Sequence, residues 1–509
     1  MISISVLMLI VVPLITAAII PLFDIFNRNF KRIIVVLSSL IEFLIALNLL
    51  IGNFTRLKAQ EITLMYNTGW GFPFYTIHLR LDSLGLLFSV FSSLTLCLII
   101  IYSVTVKELK TAQQKGFYIM LFFVIAMMQG TILTGDILNI FIFFELMALI
   151  SAPLIAYENN EISTDAAIKY IIYGLIGGVF FLLGIIFIWL NLNTLDMCEI
   201  AANFGQIAHG IQLSIIICFL LALFIKLGIF PFHFWIPLAH SACPSSISAL
   251  LSGVILEIYL YIFLRIFWFV IGFNFIQNAG LDTFIMGLGL FSSLIGHFFA
   301  LQADDIKRML AFSTVGNIGL IMAVFALNTE VALYAGLLHV FAHMLMKATL
   351  FTGTGYLLKF TPSHFFKDFK GVAHKNNGVF ISCIVAMLGM IGLPPLIGFI
   401  SKWYIVLAFL ETNHYIGTAV VILGSIISVI YYFRFVSYGY DSDIKNNFAE
   451  EEKTVNDFYN KNIVKYMIYI FAGLIVLTGV FCKILDIPLK AAIKVLMSAG
   501  NYLVLGLGG

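Results

Sequence analysis

Residues 336–351 read GLLHVFAHMLMKATLF and set His339, His343 and Lys347 four residues apart. On an α-helix each step of four turns the side chain by about 40°, so the three groups share one face within roughly 80°. An imidazole changes charge near neutral pH, and two imidazoles beside an ammonium make a set suited to passing protons. A lone histidine here would read as a hydrogen-bonded contact between helices. Three titratable groups on one face of an apolar segment favour a relay. Haem ligation is the weaker reading: ligands on one face of one helix cannot approach an iron from opposite sides, and only His297 among the other histidines lies well inside an apolar stretch.

More ionisable residues sit in similar surroundings. GDILNIFIFFELMAL (135–149) carries Glu145, LSGVILEIYLY (251–261) carries Glu257, and Lys226, Arg265 and Lys402 lie inside or at the margins of apolar stretches. A central Asp, Lys or Arg costs about 2.5–3.5 kcal/mol on membrane-insertion scales, so such residues are functional candidates by default. Glu257 has a plainer option, a structural pairing with Arg265 eight residues on. Lys226 precedes Pro231 by five residues in FIKLGIFPFHFWIPLAH (224–240), and Lys402 follows Pro394 and Pro395 in GLPPLIGFISKWY (392–404). Proline removes a helical hydrogen bond and clashes with the preceding turn, so both helices are expected to break.

These groups require a membrane around them, and the composition supplies it. The chain has 509 residues, 61% hydrophobic and 11% charged, with a mean hydropathy of +1.05, against roughly 25% charged in soluble domains. The fold class expected is an all-α polytopic membrane protein, one membrane domain over 1–509. Spans of about 20 apolar residues fall near 4–23, 33–52, 82–105, 117–133, 136–157, 168–191, 211–231, 244–270, 284–301, 309–327, 332–357, 377–408, 415–435 and 466–482, about fourteen in all. The N-terminal MISISVLMLIVVPLITAAIIPLF lacks a basic n-region and a small-residue cleavage site, and reads as a retained first span. The broken spans lie five apart, which suggests two inverted five-helix repeats, about 117–270 and 284–435, as in ion-translocating transporters. A short tail follows at 483–509.

Lys and Arg divide unevenly between alternate loops. With the N-terminus outside, inward loops hold Arg28, Lys31, Arg32, Lys107, Lys110, Lys115, Lys169, Lys307, Arg308, Lys359, Lys367, Lys370, Lys375, Arg434, Lys445, Lys453, Lys461 and Lys465, while outward ones hold only Arg56, Lys58 and Arg80 besides the tail. The positive-inside rule then puts both termini outside the cell membrane. A net charge of +2 gives no reason to expect a nucleic-acid partner. The six cysteines are far apart, with no CxxC or CxxCH spacing. No metal, cofactor, redox centre or hydrolytic site is expected in the chain.

The ordered set GDILNIFIFFELM, KLGIFPFHFWIPLAHSACPSSISALLSG, QADDIKRMLAFSTVGNIG, HVFAHMLMKA and GLPPLIGFISKW resembles the antiporter-like proton-translocating subunits of respiratory complex I, membrane-bound hydrogenases and Mrp-type cation/proton antiporters. The resemblance runs from about residue 70 to 440. It implies that Glu145 and Lys226 are an input ion pair, that His339, His343 and Lys347 are a central relay, and that Lys402 serves an exit half-channel. His240 and the turn after it match the family's loop between the seventh and eighth spans. Glu257 departs from the pattern, which usually has Lys or His there. The resemblance also implies other membrane subunits as partners, protons as cargo with Na⁺ as a candidate counter-ion, and redox chemistry, where there is any, in those partners. The short tail points to a D-like member of the family.

On this reading a proton passes from Lys226 through Glu257 to the histidine face and Lys402, along a row of polar groups in the membrane plane. At an assumed separation of about 8 Å and an effective dielectric near 20, Glu145 and Lys226 interact by roughly 2 kcal/mol, enough for the carboxylate to switch the lysine. A stand-alone secondary transporter would share the breaks but should place polar substrate-binding groups at them, and a structural scaffold would need none of the buried charges.

Overall fold

The computed structural model describes residues 2–26, 28–58, 63–65, 70–72, 75–106, 114–441 and 461–497. Of the loop cations above, Lys107, Lys110, Lys445 and Lys453 lie outside these residues. Among the described residues the chain is all-α apart from two short antiparallel ladders, β1 (Thr63–Met65) with β4 (Arg80–Asp82) and β2 (Trp70–Phe72) with β3 (Tyr75–Ile77).

The long helices are α1 (Ile2–Phe26), α2 (Arg28–Gly52), α3 (Ser83–Val106), α4 (Gln114–Leu133), α5 (Ile137–Ile155), α6 (Glu161–Leu192), α7 (His209–Leu227), α8 (Trp235–Ala242), α9 (Ser245–Val270), α10 (Leu281–Gln302), α11 (Ile306–Phe325), α12 (Glu330–Leu357), α13 (Asn377–Ile391), α14 (Ile397–Glu411), α15 (Tyr415–Tyr440), α16 (Lys461–Val480) and α17 (Asp486–Met497). Among the described residues thirteen spans are long and apolar enough to cross a membrane, with α7 and α8 forming one interrupted span over His209–Ala242. The shorter α13 and α14, interrupted at Pro394 and Pro395, occupy the stretch expected as the remaining span, near 377–408.

Burial sorts these helices into an inner and an outer set. The most apolar stretch of α9 is wholly buried, whereas only 28% of that of α2 and 33% of that of α6 are. Apolar residues all round a helix cost nothing against lipid, so exposure of Ile172, Leu175, Val179 and Leu183 on α6 is the expected outer surface. The inner helices α9, α11 and α12 carry Glu257, Arg265, Asn317, His339, His343 and Lys347, all buried. A short knot closes one end: Gly135 N–H donates to His78 O at 2.8 Å, His78 N–H to the Asp136 carboxylate at 3.1 Å, and Arg80 pairs with Asp196 at 2.6 Å.

Both spans broken at proline end their first half in the same way. Gly228 (φ +62°) and Gly392 (φ +94°) take the left-handed conformation that glycine adopts without a Cβ penalty. Gly228 N–H reaches Ile225 O and Ile229 N–H reaches Phe224 O; Gly392 N–H reaches Gly389 O and Leu393 N–H reaches Leu388 O, all at 3.0–3.2 Å. This is the paired closure of a Schellman cap, reached twice from KLGIFP and MIGLPP.

Candidate functional site

The breaks position the two outer lysines. In an unbroken helix Met390 O and Ile391 O would accept from the N–H groups of residues 394 and 395, but both are proline and have none. Lys402 Nζ takes their place, donating to Met390 O at 2.7 Å, to Ile391 O at 3.3 Å and to Ser425 Oγ on α15 at 3.1 Å. Lys226, at the end of α7, is 3% exposed and forms an ion pair with Glu145 of α5 at 2.6 Å. The rings of Phe144 and Tyr259 lie 5.0 and 5.9 Å from its Nζ. The sequence reading assumed about 8 Å for this pair; the contact is direct because α6 presents glycines there. A Cβ on Gly178 would come 2.7 Å from Glu145 Oε1, and one on Gly177 would come 3.4 Å from Lys226 Cε.

The centre is built on α12. His339, His343 and Lys347 are fully buried, and each finds a different neighbour. His339 Nδ1 meets Ser401 Oγ of α14 at 2.8 Å and its Nε2 meets Asn317 Oδ1 of α11 at 3.1 Å. His343 Nδ1 contacts Glu257 Oε1 of α9 at 2.5 Å. Lys347 Nζ donates to Leu310 O of α11 at 2.7 Å and to Ser313 Oγ, within electrostatic reach of Glu257. Two turns separate His339 from Lys347, a rise of about 12 Å. The three groups are therefore spread along α12 and do not share one level of it.

Glu257 reaches α12 through an irregularity in its own helix. Residues Leu251–Ile255 of α9 are wound as a π-helix, a feature common at functional sites. At Gly253 the helices come so close that a Cβ would lie 3.2 Å from Met344 O. Arg265 does not pair with Glu257. It binds Asp82 through both guanidinium nitrogens, one at 2.6 Å, and Tyr261 OH at 2.8 Å. Eight residues of helix separate Arg265 and Glu257 by about 12 Å, which a shared face does not shorten.

Thus Glu257 touches His343, His339 stands one turn earlier on α12 and touches Ser401, and Lys402 is the next residue of α14. No hydrogen bond links Lys226 to Glu257 among the described residues. Glu257 Oε2 and His343 Nε2 keep no protein partner there, which leaves each a second atom open to a hydrogen bond. His240 stacks on Phe351 with ring centroids 4.9 Å apart and makes no hydrogen bond through either nitrogen to the described residues.

Residues 134–428, more than half of the chain, match the family described as NADH:quinone oxidoreductase/Mrp antiporter, TM. The chain belongs to this family. Among relatives of this antiporter family, NADH-quinone oxidoreductase subunit N of Desulforudis audaxviator is 31% identical over 396 residues, covering 77% of this chain and 78% of the relative. The D-type member of a Na(+)/H(+) antiporter from Alkalihalophilus pseudofirmus is 26% identical, covering 71% and 73%. The fold matches a chain in the structure of the membrane-bound sulfane sulfur reductase, an archaeal respiratory membrane complex, with a TM-score of 0.88 at 23% identity over 99% of both chains.

Sequence reasoning about this antiporter-family chain missed a further buried acid. Glu42 of α2, 2% exposed, accepts from Gln129 Nε2 at 3.0 Å, and Ser89 Oγ donates to Gln129 Oε1 at 2.9 Å. The signal was present as a lone Glu in SSLIEFLIAL. Asp82 was missed because it opens its span and read as a boundary residue. Asn317, Ser313 and Ser401 were missed because small polar residues in apolar helices carry no periodic signal.

Proposed function

We propose that this chain moves protons as an antiporter-like subunit of a multisubunit membrane complex, by relay through Lys226, Glu257, His343, His339, Lys347 and Lys402. The observation that carries the reading is the run of buried acid, imidazole and amine groups from α9 across α12 to the break between α13 and α14. Each is a side chain that holds or releases a proton, and burial makes its charge state sensitive to neighbours. The matching Schellman closures favour two inverted repeats. The lysines, however, sit on opposite sides of their breaks, Lys226 before and Lys402 after. With both termini outside, Lys347 lies towards the inner face and His339 and Lys402 towards the outer one, which gives the row a direction from inside to out.

Glu145 acts as the switch. At 2.6 Å and an effective dielectric near 20 the pair attracts by about 6 kcal/mol before desolvation is counted, so Lys226 keeps its proton while the carboxylate stays. The machine is either a cation/proton antiporter with this chain as its D-like member, Na⁺ being the candidate counter-ion, or a complex I-like oxidoreductase or hydrogenase whose electron chemistry lies in partner subunits. The test is proton movement by the purified complex in liposomes with a pH-sensitive dye inside. A complex that moves none under an imposed gradient or with its electron donor refutes the reading.

Two variants probe the input pair. Glu145→Gln keeps the shape and removes the charge, so flux falls by about tenfold or more while membrane abundance on immunoblots stays near normal. Gly178→Ala acts by position. The new methyl displaces only the end of the Glu145 side chain, so the protein assembles, and flux falls by up to about tenfold as the carboxylate loses its contact with Lys226. Full flux in either variant removes the switch.

A further inference from the structure

On α12, His343 and His339 lie on one face with Lys347 and towards Lys402, and α15 carries a second set of groups between the same two lysines. Lys347 Nζ donates to Ser313 Oγ, which lies 3.4 Å from Tyr432 OH. The rings of Tyr432 and Tyr431 are 4.5 Å apart. Tyr431 OH donates to Ser428 Oγ at 3.0 Å. His297 Nδ1 of α10 faces both, at 3.2 Å from Tyr431 OH and 3.4 Å from Ser428 Oγ. One turn from Ser428, Ser425 accepts from Lys402 Nζ at 3.1 Å. Ser313, Tyr432, Tyr431, Ser428 and His297 are all buried.

The heights agree. Residues 425 to 432 of α15 rise about 10 Å and residues 339 to 347 of α12 about 12 Å, so the two helices are rails of similar length between common ends. The imidazole of His297 also has a purpose-built slot: a Cβ on Gly316 of α11 would lie 3.1 Å from its ring and one on Gly424 of α15 would lie 2.9 Å from it. A histidine placed only to fill space between helices would not need glycine on both neighbours and two hydroxyls on one nitrogen.

We infer that this hydroxyl and imidazole set is a second proton route between Lys347 and Lys402, parallel to the one through His343 and His339. The inference rests on the proton-relay reading above. The Lys347 ammonium gives one proton to Ser313 Oγ as the Ser313 hydroxyl proton passes to Tyr432, and each oxygen in turn accepts one proton and releases another. Nδ1 of His297 holds the proton beside Tyr431 and Ser428, and Ser425 delivers one to Lys402 in its neutral amine form. No electrons move. Cβ atoms three residues apart on a helix are about 5–6 Å from each other, so one water spans Ser428 to Ser425. At rest Ser313 and Ser428 donate to Leu310 O and Gly424 O, at 2.8 and 2.7 Å, so conduction requires both hydroxyls to rotate. The charged and titratable groups near His297 are Lys402, Lys347 and His339.

Parallel and serial routes differ in how losses combine. With two routes, cutting one leaves the other, and cutting both removes nearly all flux. The experiment measures proton flux of the intact complex in liposomes for His339→Gln, Tyr431→Phe and the double variant, with Ser428→Ala as a second cut of the α15 side. Assembled abundance and thermal midpoint serve as controls. With two routes of similar share the fractions left by the two cuts add up to about one, so each single variant should lose about twofold, and the double at least about tenfold more than the product of the singles, a coupling above about 1.4 kcal/mol. Abolished flux in His339→Gln alone, losses that simply multiply, or unchanged flux when Tyr431→Phe or Ser428→Ala is added to His339→Gln would each overturn the second route. An inactive wild-type complex would instead refute the underlying reading, and the inference with it.

Discussion

Lys402→Arg assembles normally but moves protons about a hundredfold more slowly than the wild type, a barrier increase of about 2.7 kcal/mol. Lys402 has two duties in the structure. Its ammonium caps Met390 O and Ile391 O, the carbonyls freed by Pro394 and Pro395, and it also meets Ser425 of α15, one residue along the chain from the Ser401 that contacts His339. An arginine fork has donors enough for the first duty, so the break is kept. It fails at the second because guanidinium is effectively always protonated and passes no proton on. Lys402→Ala separates the duties from the other side: each carbonyl left without a donor costs about 1–3 kcal/mol, so this variant also loses abundance. Immunoblots of membranes together with liposome flux distinguish the two. Near-normal flux in Lys402→Arg would make the site a fixed electrostatic support of the break.

The same residue shows how much of the molecule was legible in the sequence. The span count and the two breaks follow from apolar run length and proline, which are local properties. That lysine and broken carbonyl would meet was not legible, because Lys402 folds back over eleven residues and a turn whose shape depends on Gly392. The α12 face was legible as a face, since steps of four residues fix direction around a helix. Its partners were not. Asn317, Ser401 and Ser313 come from two other helices, and no periodicity in α12 specifies which neighbour stands opposite. Arg265 shows the converse: the optional pairing along one helix is set aside by Asp82, 183 residues away, because ends of different helices approach more closely than two turns of the same one.

Glu257 is where three substitutions give three different outcomes. Its carboxylate touches His343 Nδ1 at 2.5 Å, with Lys347 one turn further along α12, and Arg265 is occupied elsewhere. The neighbourhood thus holds one acid against an imidazole and an ammonium. Glu257→Leu leaves His343 Nδ1 buried without a partner, which costs about 1–3 kcal/mol, and removes the proton-carrying group, so both assembly and flux fall, flux by about a hundredfold or more. Glu257→Gln keeps a hydrogen-bonding oxygen or N–H for His343 but carries no proton, so the protein assembles while flux falls nearly as far. Glu257→Lys restores the family's usual residue type and a titratable group, so measurable flux remains. A cation in place of an anion disfavours the protonated forms of His343 and Lys347, so protonating them takes a higher proton concentration and the flux profile moves to lower pH. Flux against pH in liposomes for the three variants is the measurement. Wild-type flux in Glu257→Gln would remove the carboxylate from the route and leave it a structural partner of His343.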